Sequence, residues 1–333
     1  MTPAIGEPSV RKILTIDGGG IKGMVPAALL ADFEAQLGAP VVDYFDLIVG
    51  TSTGGIIAAA LALGYSAREV VEIYRDDGAR IFPSAGFLQR QLLGVRAAVT
   101  CRYDTHTLRK VLQERFGNKL LGEARCRLVI PSFSGQTGEV YVLKTRHSGR
   151  FHRDHKKSVV EALVSTASAP TYFASSRQLG GSGLIDGGVW SNNPMLLAAV
   201  EAVGVLKWPA TQIRLLSLGC TEEALDVPAS GGRLRFSGVI ADLFLRAQSS
   251  GSRGGAYLLL GDDWNAPKRV FRIVPTVAAG RYSLGGHDQV DELQGIGEEL
   301  ARRHFVQVKA AFFDAKAAPF VPLPDSALPE AIA

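Results

Sequence analysis

The residues best suited to chemistry are those of Gly50-Thr51-Ser52-Thr53-Gly54. The apolar pair Ile48-Val49 leads into this pentad and Ile56-Ile57 leads out of it, so a G-x-S-x-G spacing falls where a strand turns sharply into a helix. Ser52 is the candidate nucleophile. Gly50 and Gly54 fit the crowding of such a turn, because a side chain two residues before or after a strained serine would clash across it. The helix that follows aims backbone N–H groups and its positive dipole end at the point where negative charge develops in acyl transfer.

A second glycine-rich turn, Asp17-Gly18-Gly19-Gly20-Ile21-Lys22-Gly23, follows the first apolar run. It satisfies G-x-G-x-x-G, but the acidic residue that dinucleotide binding needs at the end of the next strand is missing, and the Ser52 turn stands there instead. It is not a Walker loop either, since Lys22 precedes Gly23 and Met24 follows it. Three consecutive glycines beside a serine turn fit an oxyanion hole, with Gly18, Gly19 and Gly20 as the backbone donors.

The serine needs a base. Asp186, in Asp186-Gly187-Gly188, is one candidate, and Gly187 and Gly188 would let the chain fold closely around it. The order Ser52, Asp186, His287 would also match an α/β-hydrolase triad. That fold normally places more strands before its nucleophile, and His287 fits a turn ahead of a helix capped by Asp288. The Ser52–Asp186 dyad is the favoured reading, with a Ser-Asp-His esterase as the alternative.

These residues must be carried by alternating strands and helices. Lys12–Ile16 reads as a buried strand before the first glycine loop, followed by a helix over about Met24–Leu37. Asp46–Val49 and Gly54–Leu63 repeat the pattern, and Ser66-Ala67-Arg68-Glu69 opens a further helix through a capping box. Asp104 caps a helix over Thr105–Phe116. Arg127–Ser134 and Val140–Thr145 form a hairpin, Ser158 opens a helix that Pro170 ends, and Pro194–Val203 is helical. Ile213–Leu218 and Arg269–Val274 are strands, Arg235–Leu260 is a mixed segment, and a long helix runs from about Asp288 to Phe313. The sequence therefore predicts one α/β domain over residues 11–314, three layers deep around a largely parallel sheet. Residues 79–103 read as a cap or lid in which Phe82, Phe87, Leu88, Leu92 and Leu93 could shield an acyl channel or touch a bilayer. The Ala- and Pro-rich residues 315–333 are expected to be loosely held.

Composition narrows the classes of function. The chain is 47% hydrophobic and 20% charged, an ordinary globular balance, and its formal charge of +4 is too small to argue for nucleic acid. Its three cysteines, Cys101, Cys126 and Cys220, form no framework, which fits a reduced cytoplasmic protein. No leader is visible at the start, and no apolar run reaches the roughly 18 residues of a membrane span.

The two glycine turns and Asp186-Gly187-Gly188, in this order and spacing, closely resemble the patatin-like phospholipases. The resemblance covers most of the region from Ile13 to about Leu218. It implies that Ser52 attacks a lipid ester carbonyl, that Asp186 assists proton transfer without histidine, that the Gly18 to Gly20 amides hold the oxyanion, and that no metal is involved. Val129-Ile130-Pro131-Ser132-Phe133, Ala169-Pro170-Thr171-Tyr172-Phe173 and Asn192-Asn193-Pro194 are further similar to the bacterial patatin lipases of CBASS antiphage systems. In those, a cyclic dinucleotide such as cGAMP activates a lipase that degrades the cell's own membrane. For this chain the resemblance implies a cyclic-dinucleotide activator, a phospholipid substrate met peripherally at the inner membrane surface, and room for a homo-oligomer. A patatin-like lipase or lysophospholipase without nucleotide control is the alternative. A messenger site would need cations away from Ser52. The densest basic run is His147, Arg150, His152, Arg153, His155, Lys156 and Lys157, which otherwise reads as a solvated loop. The spacing of His147, His152 and His155 fits no common zinc set.

Overall fold

Along the first strand, β1 (Arg11–Ile16), apolar side chains alternate between two cores. Ile13 packs on one face with Leu47, Val49, Val129, Leu215 and Val270. Leu14 and Ile16 pack on the other with Ile48, Ile130, Leu216 and Leu218. A strand buried on both faces must lie inside a sheet covered on both sides. A computed structural model of the chain describes residues 10–83, 100–179, 181, 183–224, 230, 232 and 239–324.

After β1 come α1 (Met24–Leu37), β2 (Leu47–Gly50), α2 (Thr53–Ala62) and α3 (Ala67–Glu72). Next are α4 (Thr105–Phe116), the hairpin β3 (Arg127–Ser134) and β4 (Val140–Lys144), α5 (Val159–Ala167) and β5 (Leu184–Asp186). Then follow α6 (Met195–Val200), β6 (Ile213–Leu218), β7 (Glu222–Glu223), α7 (Ile240–Leu260), β8 (Val270–Ile273), β9 (Thr276–Val277) and α8 (Val290–Phe312). Seven strands form one sheet in the order β4-β3-β2-β1-β6-β8, with β5 also paired to β3. The pairs among β3, β2, β1, β6 and β8 are parallel, whereas β4 and β5 run antiparallel to β3. Residues of α1 to α5 and α8 bury one face, and residues of α6 and α7 bury the other. This is the three-layer α/β architecture expected from the alternation.

The pairing of β3 positions the site. Its first residues, Arg127 to Val129, pair with β2, and Ser132 to Ser134 pair with β5. Because β4 occupies the opposite edge of β3 throughout, β2 and β5 share one lane and meet there with their carboxyl ends facing each other. Pro131 lies at the gap, where its missing N–H leaves no unpaired donor.

Residues 315–324 run as a strap along the domain: Ala317 N–H donates to the Asp43 carbonyl at 2.8 Å and Leu323 N–H to the Arg146 carbonyl at 3.0 Å. Lys316 pairs with Asp43 at 2.7 Å, and the Arg127 guanidinium lies 5.0 Å from the Phe320 ring. Hydrogen bonds and a cation–π contact thus offset the low apolar content of this strap. The mixed segment that begins at Arg235 contains the helix α7. Within the cap, Phe82 is buried against Tyr103 and Phe173, with ring centroids 5.2 and 6.0 Å apart, and is core rather than bilayer-facing. Phe87, Leu88, Leu92 and Leu93 lie outside the described residues. Among the described residues no helix is long and apolar enough to cross a membrane.

Candidate active site

Ser52 caps α2 with φ 54° and ψ −126°, a left-handed conformation that costs a non-glycine residue on the order of 1–3 kcal/mol. The turn is tight enough to explain its glycines. A Cβ on Gly50 would stand 2.2 Å from the Gly54 carbonyl oxygen, and one on Gly54 would stand 2.4 Å from that of Ile16. The serine is held from behind by Thr166 of α5, whose hydroxyl accepts the Ser52 N–H at 3.0 Å and donates to the Pro131 carbonyl at 2.5 Å. One side chain therefore ties the turn to the gap in the β3 lane.

Asp186 ends β5 across that gap. The Ser52 hydroxyl donates to Asp186 Oδ2 at 2.5 Å, and Gly188 N–H donates to Oδ1 at 2.6 Å. These residues lie 134 positions apart in sequence. Both are buried, Ser52 8% and Asp186 4% exposed. Burial pushes the Asp186 carboxyl up from 3.8 to about 6, against the smaller opposing pull of the Ser52 and Gly188 hydrogen bonds. A carboxylate with that acidity is a usable base near neutral pH. His287 is elsewhere: it lies in the short turn His287–Gln289, with Nε2 3.3 Å from the Arg75 carbonyl oxygen.

The glycine loop lies beside the serine, since a Cβ on Gly18 would stand 3.0 Å from Ser52 Cβ. Its three amides are not equivalent. Gly18 N–H is taken by the Asn192 carbonyl at 3.1 Å, so it is not free to receive an oxyanion. Gly19 N–H makes a long 3.3 Å bond to the Thr53 hydroxyl, and Gly20 N–H meets no acceptor among the described residues. The available donors shift to Gly19 and Gly20, beside the amino end of α2. Asn192, quoted above within Asn192-Asn193-Pro194, fixes the loop from both sides, because its Nδ2 also donates to the Gly18 carbonyl at 3.2 Å.

One residue of this region escaped sequence reasoning. Arg272 of β8 donates to Asp17 Oδ1 at 3.2 Å and Oδ2 at 2.6 Å. The signal was an arginine among the apolar residues of a strand, Val270-Phe271-Arg272-Ile273.

The basic run does not form one patch. The His147 side chain is fully buried, with Nε2 2.8 Å from Glu201 Oε1 and Nδ1 2.9 Å from the Thr145 hydroxyl. Lys157 pairs with Asp154 at 2.9 Å and with the Tyr141 hydroxyl. Arg150, His152 and Arg153 line a shallow cleft with Phe151 and Asp154.

Residues 14–199 match the family described as Patatin-like phospholipase. A cGAMP-activated phospholipase of Pseudomonas aeruginosa is 35% identical over 244 residues, 72% of this chain and 72% of that one. A cGAMP-activated phospholipase of Vibrio cholerae is 30% identical over 331 residues, 90% of this chain and 92% of that one. A cUMP-AMP-activated phospholipase of Escherichia coli is 30% identical over 224 residues, 64% of this chain and 66% of that one. Among solved structures, VipD from Legionella pneumophila is 13% identical, with a TM-score of 0.46 over 89% of this chain and 67% of its own. The strand-to-helix serine, the glycine loop and the length of the family match converge on one conclusion: the chain belongs to the patatin-like phospholipases, a family of lipid-hydrolysing enzymes.

Proposed function

We propose that this protein is a serine acyl hydrolase that cleaves ester bonds of membrane phospholipids through a Ser52–Asp186 dyad, and that a cyclic dinucleotide switches it on in bacterial antiphage defence. The observation that carries the chemistry is the 2.5 Å hydrogen bond from the Ser52 hydroxyl to Asp186. As Ser52 Oγ attacks the ester carbonyl carbon, its proton passes to Asp186 Oδ2. The tetrahedral oxyanion is met by the Gly19 and Gly20 amides and the amino end of α2. Collapse breaks the ester bond, and the departing alkoxide takes the proton from Asp186, leaving an acyl-Ser52. Water then attacks the acyl carbon, gives its proton to Asp186 and releases the fatty acid as Ser52 recovers its hydrogen. A raised pKa suits Asp186 to both halves, since it must accept and return one proton. His287, held at the Arg75 carbonyl, takes no part.

Nucleotide control is supported by the names of the relatives above, two activated by cGAMP and one by cUMP-AMP. The same reading has lipid met peripherally, at the inner face of the cytoplasmic membrane. The test is phospholipid-vesicle hydrolysis by the purified full chain with and without a panel of cyclic dinucleotides, alongside fluorophosphonate labelling. The reading expects labelling of wild type and its loss in Ser52→Ala, hydrolysis that depends on one nucleotide, and full activity in His287→Ala. Hydrolysis at full rate without any nucleotide would remove the control, and loss of activity in His287→Ala would restore a triad.

A further inference from the structure

Three consecutive glycines give a loop its exposed amides at the cost of stiffness, because glycine loses more conformational freedom on ordering than any other residue. An oxyanion hole works only if its donors are fixed before charge develops. The order of Gly18-Gly19-Gly20 must therefore be supplied from outside the loop, and its upstream anchor is Asp17. The Asp17 N–H continues the sheet by donating to the Leu218 carbonyl at 3.0 Å, and its own carbonyl accepts the Cys220 thiol at 3.6 Å. Its carboxylate is gripped by Arg272, and the two side chains are 7% and 4% exposed. Arg272 reaches Asp17 across β6, where its register partner is the small residue Ser217, whose hydroxyl accepts Arg272 Nη1 at 2.8 Å. The network continues at both ends of the loop. Arg272 Nη2 lies 3.7 Å from Glu222, and Lys22 Nζ lies 3.7 Å from Glu223 on the same short strand β7.

We infer that Arg272 is a positioning residue for the reaction, acting through Asp17 to hold the Gly19 and Gly20 amides where the oxyanion forms. A planar fork is required, since it must bond both Asp17 oxygens and Ser217 at once, and a lysine ammonium cannot reproduce that geometry. This inference rests on the acyl-hydrolase reading above. It is tested on the full chain with p-nitrophenyl butyrate turnover and the rate of fluorophosphonate labelling of Ser52, with a thermal melt of each protein. Arg272→Lys keeps the buried charge. It should fold, lose about 10²-fold in kcat with KM unchanged, and label slowly in proportion, as expected when oxyanion donors are misplaced. The double variant Asp17→Asn, Arg272→Met removes both charges, so it leaves neither unpaired in the core. It should keep its melting temperature and remain slow. Wild-type kcat and labelling in Arg272→Lys would overturn the inference, as would recovery of turnover in the double variant or unfolding of both proteins. Failure of wild-type Ser52 to label at all would instead undo the acyl-hydrolase reading itself.

Discussion

Asp186 and Glu201 are buried alike, 4% and 2% exposed, yet their surroundings drive their acidity in opposite directions. Among the described residues Asp186 has a serine hydroxyl and one backbone N–H but no cation, and burial raises its pKa to about 6. Glu201 meets the same penalty of burial, but His147 and Lys144 outweigh it and hold its carboxyl below the ordinary value of 4.5. Lys144 Nζ sits 2.6 Å from Glu201, and His147, kept neutral by its own burial, donates from Nε2 at 2.8 Å. One carboxylate is left poised to take a proton, and the other ties the edge strand β4 to the helical segment after α6. Burial alone thus does not mark a reactive acid. Between these two carboxyls, the presence or absence of a cationic partner makes the difference.

That contrast breaks most visibly in turnover. Asp186→Asn should lower ester hydrolysis by about 10³-fold or more, as loss of a group that acts as a unit with its nucleophile does. Glu201→Gln should leave the turnover of folded protein unchanged, and a Glu201→Gln protein that melts normally but is inactive would erase the distinction. Stability should show the reverse ranking. Glu201→Gln strands the Lys144 charge and should cost about 3 kcal/mol in a denaturant titration. Asp186→Asn should stabilise the protein by about 1–3 kcal/mol at pH 8, because a folded pKa raised above the unfolded one gives stability at low pH that is lost as pH rises through about 6. Below about pH 4 the gain should vanish. The Glu201 contribution has the opposite sign: it is present above the ordinary glutamate value and lost as pH falls through the lower folded value. The smallest effect is in the pH–rate profile. kcat should rise tenfold per pH unit below an apparent pKa near 6 and level off above it, and a limb near 4 would mean that Asp186 is better solvated than its burial implies.

The site was legible in the sequence where chemistry and backbone geometry coincide. Gly50 and Gly54 announced the Ser52 turn because no side chain fits there, and Asp186 stood out between an apolar pair and two glycines. The sheet followed from largely apolar runs at Ile13–Ile16, Ile48–Val49 and Ile213–Leu218. Helix α7 was hidden because Ser249-Ser250-Gly251-Ser252-Arg253-Gly254-Gly255 has poor helix propensity. Tertiary contacts overrule it: the Ser252 hydroxyl donates to the Asn193 carbonyl at 2.7 Å, and a Cβ on Gly255 would stand 3.1 Å from the Leu196 methyls. Gly18 could not be recognised as an occupied donor, since its acceptor is a backbone carbonyl 174 residues away, the same separation as its Asn192 side-chain bond. Arg272 stood out as a charge in an apolar strand, but its partner could not be read, because Asp17 lies 255 positions away. The candidate reacting residues are marked locally, and those that hold them in place are not.

The meeting of β2 and β5 end to end beside β3 also bears on how the protein is made. A growing chain that has emerged only as far as the hairpin contains the serine turn and the glycine loop but no proton acceptor for them. At ribosomal speeds of about 5–20 residues per second, Asp186 follows Ser52 by roughly 7–27 s, and Arg272 arrives later still. On the proposed dyad, truncated products of interrupted synthesis that stop short of β5 would lack the group that takes the serine proton, a consequence of strand order alone and independent of any ligand.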